Sequence, residues 1–132
     1  MWAIKKENFI NVDIELRVKP DIIVNLDHCP YPFKDETFEL IEMNHVLEHL
    51  QNPFKVMKEI YRILKPGGIV IIKVPHFSGG FTHADHKRGF DVTFSLYFSP
   101  NFSEGFCGVE FILKKVRWTP KFGLGIKLIS HL

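Results

Sequence analysis

Glycine is missing where a close-fitting turn would need it. Residues 1–12 contain none, which excludes a glycine-rich turn there that brings backbone right up to a bound molecule. Cysteine is scarce, with only Cys29 and Cys107 in 132 residues. Two cysteines do not make a disulfide framework, so thiols in a reducing compartment are expected, with the cytoplasm as location. No apolar run approaches the ~18 residues of a membrane span, so no membrane partner is expected. In Met1-Trp2-Ala3-Ile4-Lys5-Lys6-Glu7 the charges follow the apolar residues, and no long apolar stretch comes after them; a secretory leader is not expected. Internal repeats, low-complexity stretches and linkers are absent too, which leaves one domain over residues 1–132.

What is present is ordinary for a globule. The chain is 45% hydrophobic and 24% charged, with a mean hydropathy of zero, enough apolar material for a core. The charge is uneven. Residues 1–66 carry nine Lys/Arg against eleven Asp/Glu, a net of −2, and residues 67–132 carry eight against four, a net of +4. A basic second half hints at an anionic partner. Lys114, Lys115, Arg117, Lys121 and Lys127 supply the candidates. Strand alternation is expected to scatter them over two faces, so nucleic acid is not the expected partner.

Hydrophobic periodicity places the elements. Residues 9–14 and 21–26 read as strands, and 38–43 as a third. Asn44 can cap a short helix through Leu50. Asn52 and Pro53 open the clearest helix, with Phe54, Met57, Ile60, Ile63 and Leu64 on one stripe. Pro66-Gly67-Gly68 ends it. Residues 69–74 are a nearly unbroken apolar run, expected to be covered on both faces. Asp91 can cap a helix to Phe98. Phe90, Phe94, Phe98, Phe102 and Phe106 share a four-residue spacing that Pro100 and Gly105 interrupt. Val109–Thr119 and Leu124–Ser130 read as a closing strand pair. Strands alternating with helices predict an α/β three-layer sandwich with a largely parallel sheet. Ligands then bind beyond the carboxyl ends of the strands, at Asp13, Asp27, Asn44, His45 and His76.

Three segments carry a resemblance: Asp27-His28-Cys29-Pro30-Tyr31-Pro32-Phe33, Asn44-His45-Val46-Leu47-Glu48-His49-Leu50, and Glu59-Ile60-Tyr61-Arg62-Ile63-Leu64-Lys65-Pro66-Gly67-Gly68. Together, over residues 10–98, they resemble class I S-adenosylmethionine-dependent methyltransferases of the type 11 kind. The resemblance implies a Rossmann-like fold and methyl transfer from S-adenosylmethionine to an unidentified acceptor. It also implies that Asp13 accepts from the ribose hydroxyls, as two carboxylate oxygens can. Asp27 and His28 then lie near the adenine, and Asn44 and His45 beside the methyl donor. Glu48 and His49 hold the local helix in place. Glu39 replaces the Asp that many relatives carry after Phe.

The same resemblance exposes a gap. Such proteins open with a strand, a glycine-rich turn and a helix, and nothing upstream of Asp13 can supply that turn. The fold is therefore expected to be truncated at its first strand and helix, with doubtful cofactor affinity. Phe122-Gly123-Leu124-Gly125 is a lone Gly-x-Gly with no helix after it. Three arrangements follow: residues 9–14 close directly against 38–43, a second copy or partner subunit fills the gap, or the sequence is part of a longer protein. The first two are favoured, since the sequence opens on Met1, and a homodimer is expected. The rival is a non-catalytic scaffold or partner subunit that cannot bind the cofactor alone.

Histidine clusters between 76 and 86. Imidazole and carboxylate are competent metal ligands, and His83, Asp85 and His86 are close in sequence. The stretch also resembles an acceptor-facing Pro-His…Asp-x-x-His-x-Arg segment of some relatives. That implies substrate contacts from His76, His83, His86 and Arg88, with His86, and His45 across the pocket, as catalytic candidates; imidazole titrates near neutrality. A polar loop without chemistry, an acceptor pocket and a metal cluster all remain open, and no metal ligand is assigned.

Overall fold

The computed structural model describes residues 8–78, 83–120 and 123–130. In chain order the elements are β1 (Val12–Asp13), β2 (Ile22–Ile23), β3 (Phe38–Asn44), α1 (Pro53–Ile63), β4 (Leu64–Val74), β5 (Phe111–Thr119) and β6 (Gly123–Ser130). Single 3-10 segments sit at Leu16–Val18, Leu47–His49 and Val92–Phe98.

The helix forms where its signals lie. Asn52 Oδ1 accepts from the Lys55 N–H at 3.0 Å, satisfying one orphan donor of the first turn. Proline at the first helical position lacks the N–H that would go unpaired there. Val56, Met57, Ile60 and Ile63 face inward and are buried. The chain passes directly into β4 at Leu64, so Pro66-Gly67-Gly68 lies inside the strand rather than ahead of it. Leu64 pairs with Phe38, and the register shifts before Leu40 meets Ile69.

Four strands form one sheet in the order β3-β4-β6-β5. β3 and β4 run parallel, while β4–β6 and β5–β6 are antiparallel, so the closing pair makes the sheet mixed. Val70, Ile72, Val74, Leu124, Ile126 and Leu128 project to one face and are at most 1% exposed. Burying each such side chain contributes roughly 1.5–3 kcal/mol. The same core contains the α1 stripe and Phe90, Phe94 and Phe98. Phe90–Phe94 and Phe94–Phe98 meet edge to face at 4.9 and 5.2 Å, a favoured geometry for ring quadrupoles. Past Pro100 the row breaks, and Phe102 packs on Tyr97 at 5.2 Å.

The opposite face differs from expectation. Ile69 and Ile71 are only half-buried and Lys73 is exposed, so β4 is covered closely on one side alone. Leu40, Ile69, Ile129 and Ile112 line up across all four strands there. Lys115 pairs with Lys127, and Arg117 lies opposite Gly125 two residues on. These three cations therefore share a face instead of scattering; Lys121 lies outside the described residues, as do residues 1–7.

β1 does not close against β3. It pairs in parallel only with β2, as Val12↔Ile22 and Asp13↔Ile23, in a separate two-stranded sheet. The reason is local: Asn11 N–H donates to Asp21 Oδ2 at 2.8 Å, and the Asp21 N–H and Val24 N–H donate to Asn11 O and Asp13 O. The hydrogen-bonding groups of 11–13 are thus turned toward 21–24. Among the described residues nothing pairs with the far edge of β3.

Candidate functional site

Between the two sheets lies a cleft of ≈ 1280 Å³. Its walls include Val12 and Asp13 of β1, the whole of β3, His45, Glu48 and His49 after it, and His76, His83, Asp85 and His86 beyond β4. It runs along the whole of β3 and reaches, at one end, the carboxyl end of the parallel strands, where α/β sheets place ligands.

Asp13 lines the cleft half-buried, and its Oδ1 accepts from the Glu15 N–H at 2.8 Å. Its other oxygen makes no such turn contact. Asn44 ends β3 rather than capping a helix, and the Leu47–His49 turn has no side-chain cap. His45 sits at φ +52, a left-handed conformation uncommon outside glycine and a mark of locally imposed geometry. Its N–H donates to Lys73 O at 2.8 Å, tying the ends of β3 and β4 together. His76 Nδ1 lies 2.7 Å from Ser78 Oγ, and the ring stands between Phe77 and Trp118 at 4.5 and 5.8 Å.

Three sequence candidates stand outside this wall. Asp27 Oδ1 accepts from the Gln51 N–H at 2.8 Å, holding the turn after β2 to the turn before α1. His28 is exposed beside it. Arg88 donates to Leu50 O and Gln51 O at 2.7 and 2.9 Å. With the Lys87 N–H on Glu48 O at 2.8 Å, Arg88 pins segment 83–88 against residues 48–51. Gly123, the first glycine of the lone Gly-x-Gly, has φ +86, and a Cβ there would fall 2.4 Å from Val74 O. Its glycine serves the approach of β6 to β4; Phe122 lies outside the described residues.

A polar latch supports the cleft's inner wall. Glu59 is buried, and its Oε1 accepts from the Tyr31 N–H at 2.7 Å. Arg62 grips both Glu59 oxygens, through Nε to Oε2 at 3.0 Å and through Nη2 to Oε1. It also donates to Phe33 O at 2.9 Å and to Asp35 Oδ1 at 2.7 Å. The guanidinium holds the Glu59 carboxyl below its ordinary range, against the opposing pull of burial. Burial pushes the Tyr31 phenol and the Cys29 thiol up; the phenol donates to Leu26 O at 2.8 Å. Both cysteines are free.

Glu48 is the residue whose character the sequence concealed. It is fully buried, yet among the described residues its Oε2 has no hydrogen-bond partner. Its Oε1 lies 3.2 Å from His45 Nδ1 and 4.0 Å from His49 Nε2. The only sequence signal is a carboxylate between two apolar residues and two histidines.

Comparisons with known proteins give the family and the fold. A family model described as a methyltransferase domain matches residues 5–72. Sterol 4-C-methyltransferase strm-1 of Caenorhabditis elegans is 44% identical over 69 residues, 52% of this chain and 20% of that protein. The demethylmenaquinone methyltransferase of Streptomyces griseus is 44% identical over 46 residues, 35% of this chain and 20% of that protein. The chain thus spans about a fifth of the length of these curated relatives. Among solved structures, an S-adenosylmethionine-dependent methyltransferase from Mesorhizobium loti superposes with a TM-score of 0.63 at 12% identity, covering 90% of this chain and 78% of that one. A putative methyltransferase in complex with the Haloferax volcanii Trm112 methyltransferase activator gives 0.60 at 17% identity, covering 84% and 61%. These structural likenesses establish the Rossmann-like α/β fold.

Proposed function

The chain belongs to the methyltransferase-domain family, and on that premise we propose that it takes part in methyl transfer from S-adenosylmethionine to an unidentified acceptor. The observation that carries this reading is the cleft along β3, which Asp13, Asn44, His45, His76, His83 and His86 line together. Asp13, Asn44 and His45 line the donor side. The histidines face the acceptor, with His86 as the base that removes the acceptor's proton. Asp27 and Arg88 act through the loops they hold, and His28 lies at the surface beside them.

The sulfonium methyl is intrinsically reactive, so the protein's contribution is alignment of donor and acceptor for in-line attack. Alignment is worth up to ~7–11 kcal/mol in favourable intramolecular cases. Among the described residues no glycine-rich turn cradles the donor and nothing pairs with the far edge of β3. We read the donor side as completed by a further stretch of polypeptide, from the same protein, a second copy or a partner subunit. The two free cysteines fit a reducing, cytoplasmic setting. Among the described residues no helix is long and apolar enough to cross a membrane.

The test is calorimetric titration of S-adenosylmethionine into the chain at rising protein concentration, with solution mass followed in parallel. Binding should be weak in the monomer, tighten on association and disappear in Asp13→Ala. Micromolar binding to a strict monomer would remove the need for a partner. Absence of binding in every associated state would favour the second reading, a non-catalytic subunit, which the open β3 edge also supports.

A further inference from the structure

We propose that Glu48, His49 and His86 form a binding site for one divalent transition-metal ion, at the cleft wall beside β3. The argument starts from the buried carboxylate. Glu48 is 0% exposed, and among the described residues its Oε2 is unpartnered. A buried carboxylate with an unsatisfied oxygen costs several kcal/mol unless a cation or a donor meets it. The donor atoms of Glu48, His49 and His86 all lie within 4.8 Å of one another. Ligand atoms ~2.0–2.2 Å from a tetrahedral zinc ion stand roughly 3.4 Å apart, so modest side-chain closure brings the three onto one ion.

The neighbours of His49 orient it for this role. Its Nδ1 lies 3.3 Å from Asp85 Oδ2 and 3.2 Å from Asp85 O. Both are acceptors, so Nδ1 carries the proton and donates, which leaves a lone pair on Nε2. That nitrogen is the one turned toward Glu48, 4.0 Å from Oε1. A carboxylate behind a ligating imidazole fixes tautomer and ring orientation at metal sites generally. Asp85 is thus a positioning residue. The His86 ring stands edge to face with His49 at 4.8 Å. Backbone bonds from Lys87 to Glu48 and the Arg88 fork on Leu50 and Gln51 hold His86 in place. The site is therefore assembled by three independent tethers, although its two halves are 36 positions apart.

The donor set selects the ion. Two imidazoles and one carboxylate suit zinc, iron or nickel, whereas magnesium and calcium prefer all-oxygen shells. Three protein ligands leave a position open to the cleft, as in catalytic rather than structural zinc sites. An ion there would polarise an oxygen or sulfur donor lying in the cleft; with His86 on the ion its lone pair is no longer available as a base, so in the metal-bound form that polarisation would take the place of proton removal by His86. The binding itself is independent of methyl transfer and is measured without S-adenosylmethionine.

The experiment uses untagged, chelator-stripped protein titrated with zinc by calorimetry and with cobalt(II) by visible absorption. One ion should bind per chain, with a d–d band in the cobalt form. His86→Ala should weaken binding ~100-fold with an unchanged circular dichroism spectrum, and Asp85→Ala by ~10–100-fold, the usual cost of losing an orienting partner. Glu48→Gln should also lose the ion; because it alters a buried group, the half-exposed His86 decides the matter if that variant does not fold. No zinc binding by the folded protein, or equal affinity in His86→Ala, would overturn the proposal. Binding lost instead in His76→Ala or His28→Ala would overturn it too.

Discussion

Removing Arg62 tests whether the latch behind the cleft matters as the geometry says. Arg62→Ala deletes five donated hydrogen bonds, to both Glu59 oxygens, Tyr31 O, Phe33 O and Asp35. The pair is well shielded: the Glu59 side chain is 10% exposed and Arg62 28%. Breaking a buried pair from one side costs roughly 3–5 kcal/mol, because the remaining charge stays desolvated; partial exposure of the guanidinium places this case near the lower end, about 3 kcal/mol. An entropy of unfolding of ~2.1 cal/mol/K per residue over 132 residues gives ~280 cal/mol/K, so Tm should fall by about 10 °C. The Asp35 carboxylate is 74% exposed, and Asp35→Ala should cost no more than ~1 kcal/mol. The pH dependence has a definite sign. Glu59 is held below its ordinary pKa, so its contribution is complete above the unfolded value of ~4.3 and is lost as pH falls through the folded one. The gap between wild type and Arg62→Ala should therefore be widest at neutral pH and close in acid. Urea denaturation at several pH values measures it. A neutral-pH loss under ~1 kcal/mol, or a gap that widens in acid, would refute the reasoning.

Other substitutions probe other links. Phe98→Ala empties a fully buried position touching Phe54, Phe94 and Phe111 and should cost ~3–5 kcal/mol in chemical denaturation. Asn52→Ala removes the cap on Lys55 and should cost about 1 kcal/mol, with Asn52→Asp close to neutral. Gly123→Ala drives a Cβ into Val74 O at φ +86; a loss of at least ~2 kcal/mol is expected on thermal melting, whereas Gly125→Ala, with only Arg117 O at 3.7 Å, should stay within ~1 kcal/mol.

What the residues announced, and what they hid, divides by range of interaction. The helix was legible because Asn52, Pro53 and the stripe of Phe54, Met57, Ile60 and Ile63 act within a few positions of each other. β4 and β6 were legible because alternation and β-branching are local too. The short strands were not. Residues 9–14 look capable of six strand positions, yet only Val12 and Asp13 pair, because pairing needs a partner edge and Asn11 is already committed to Asp21. The cleft residues on β3 and beyond β4 could be marked from strand ends alone. Asp27 and Arg88 could not be separated from them, since their backbone partners lie 24 to 38 positions away. Glu48 was hidden for the same reason: its burial depends on segment 83–88 folding over it.

The open edge of β3 has a further consequence, for solution behaviour. An unpaired strand edge is a template for any extended chain, including one from an unfolded neighbour. β3 reads Phe38-Glu39-Leu40-Ile41-Glu42-Met43-Asn44, and its two glutamates keep the apolar stretch from running more than two residues. Charges so placed act as gatekeepers against self-association into aggregates. Glu39 does this while paired with Lys65 Nζ at 3.3 Å, so the edge is interrupted by a charge that is already answered within the chain.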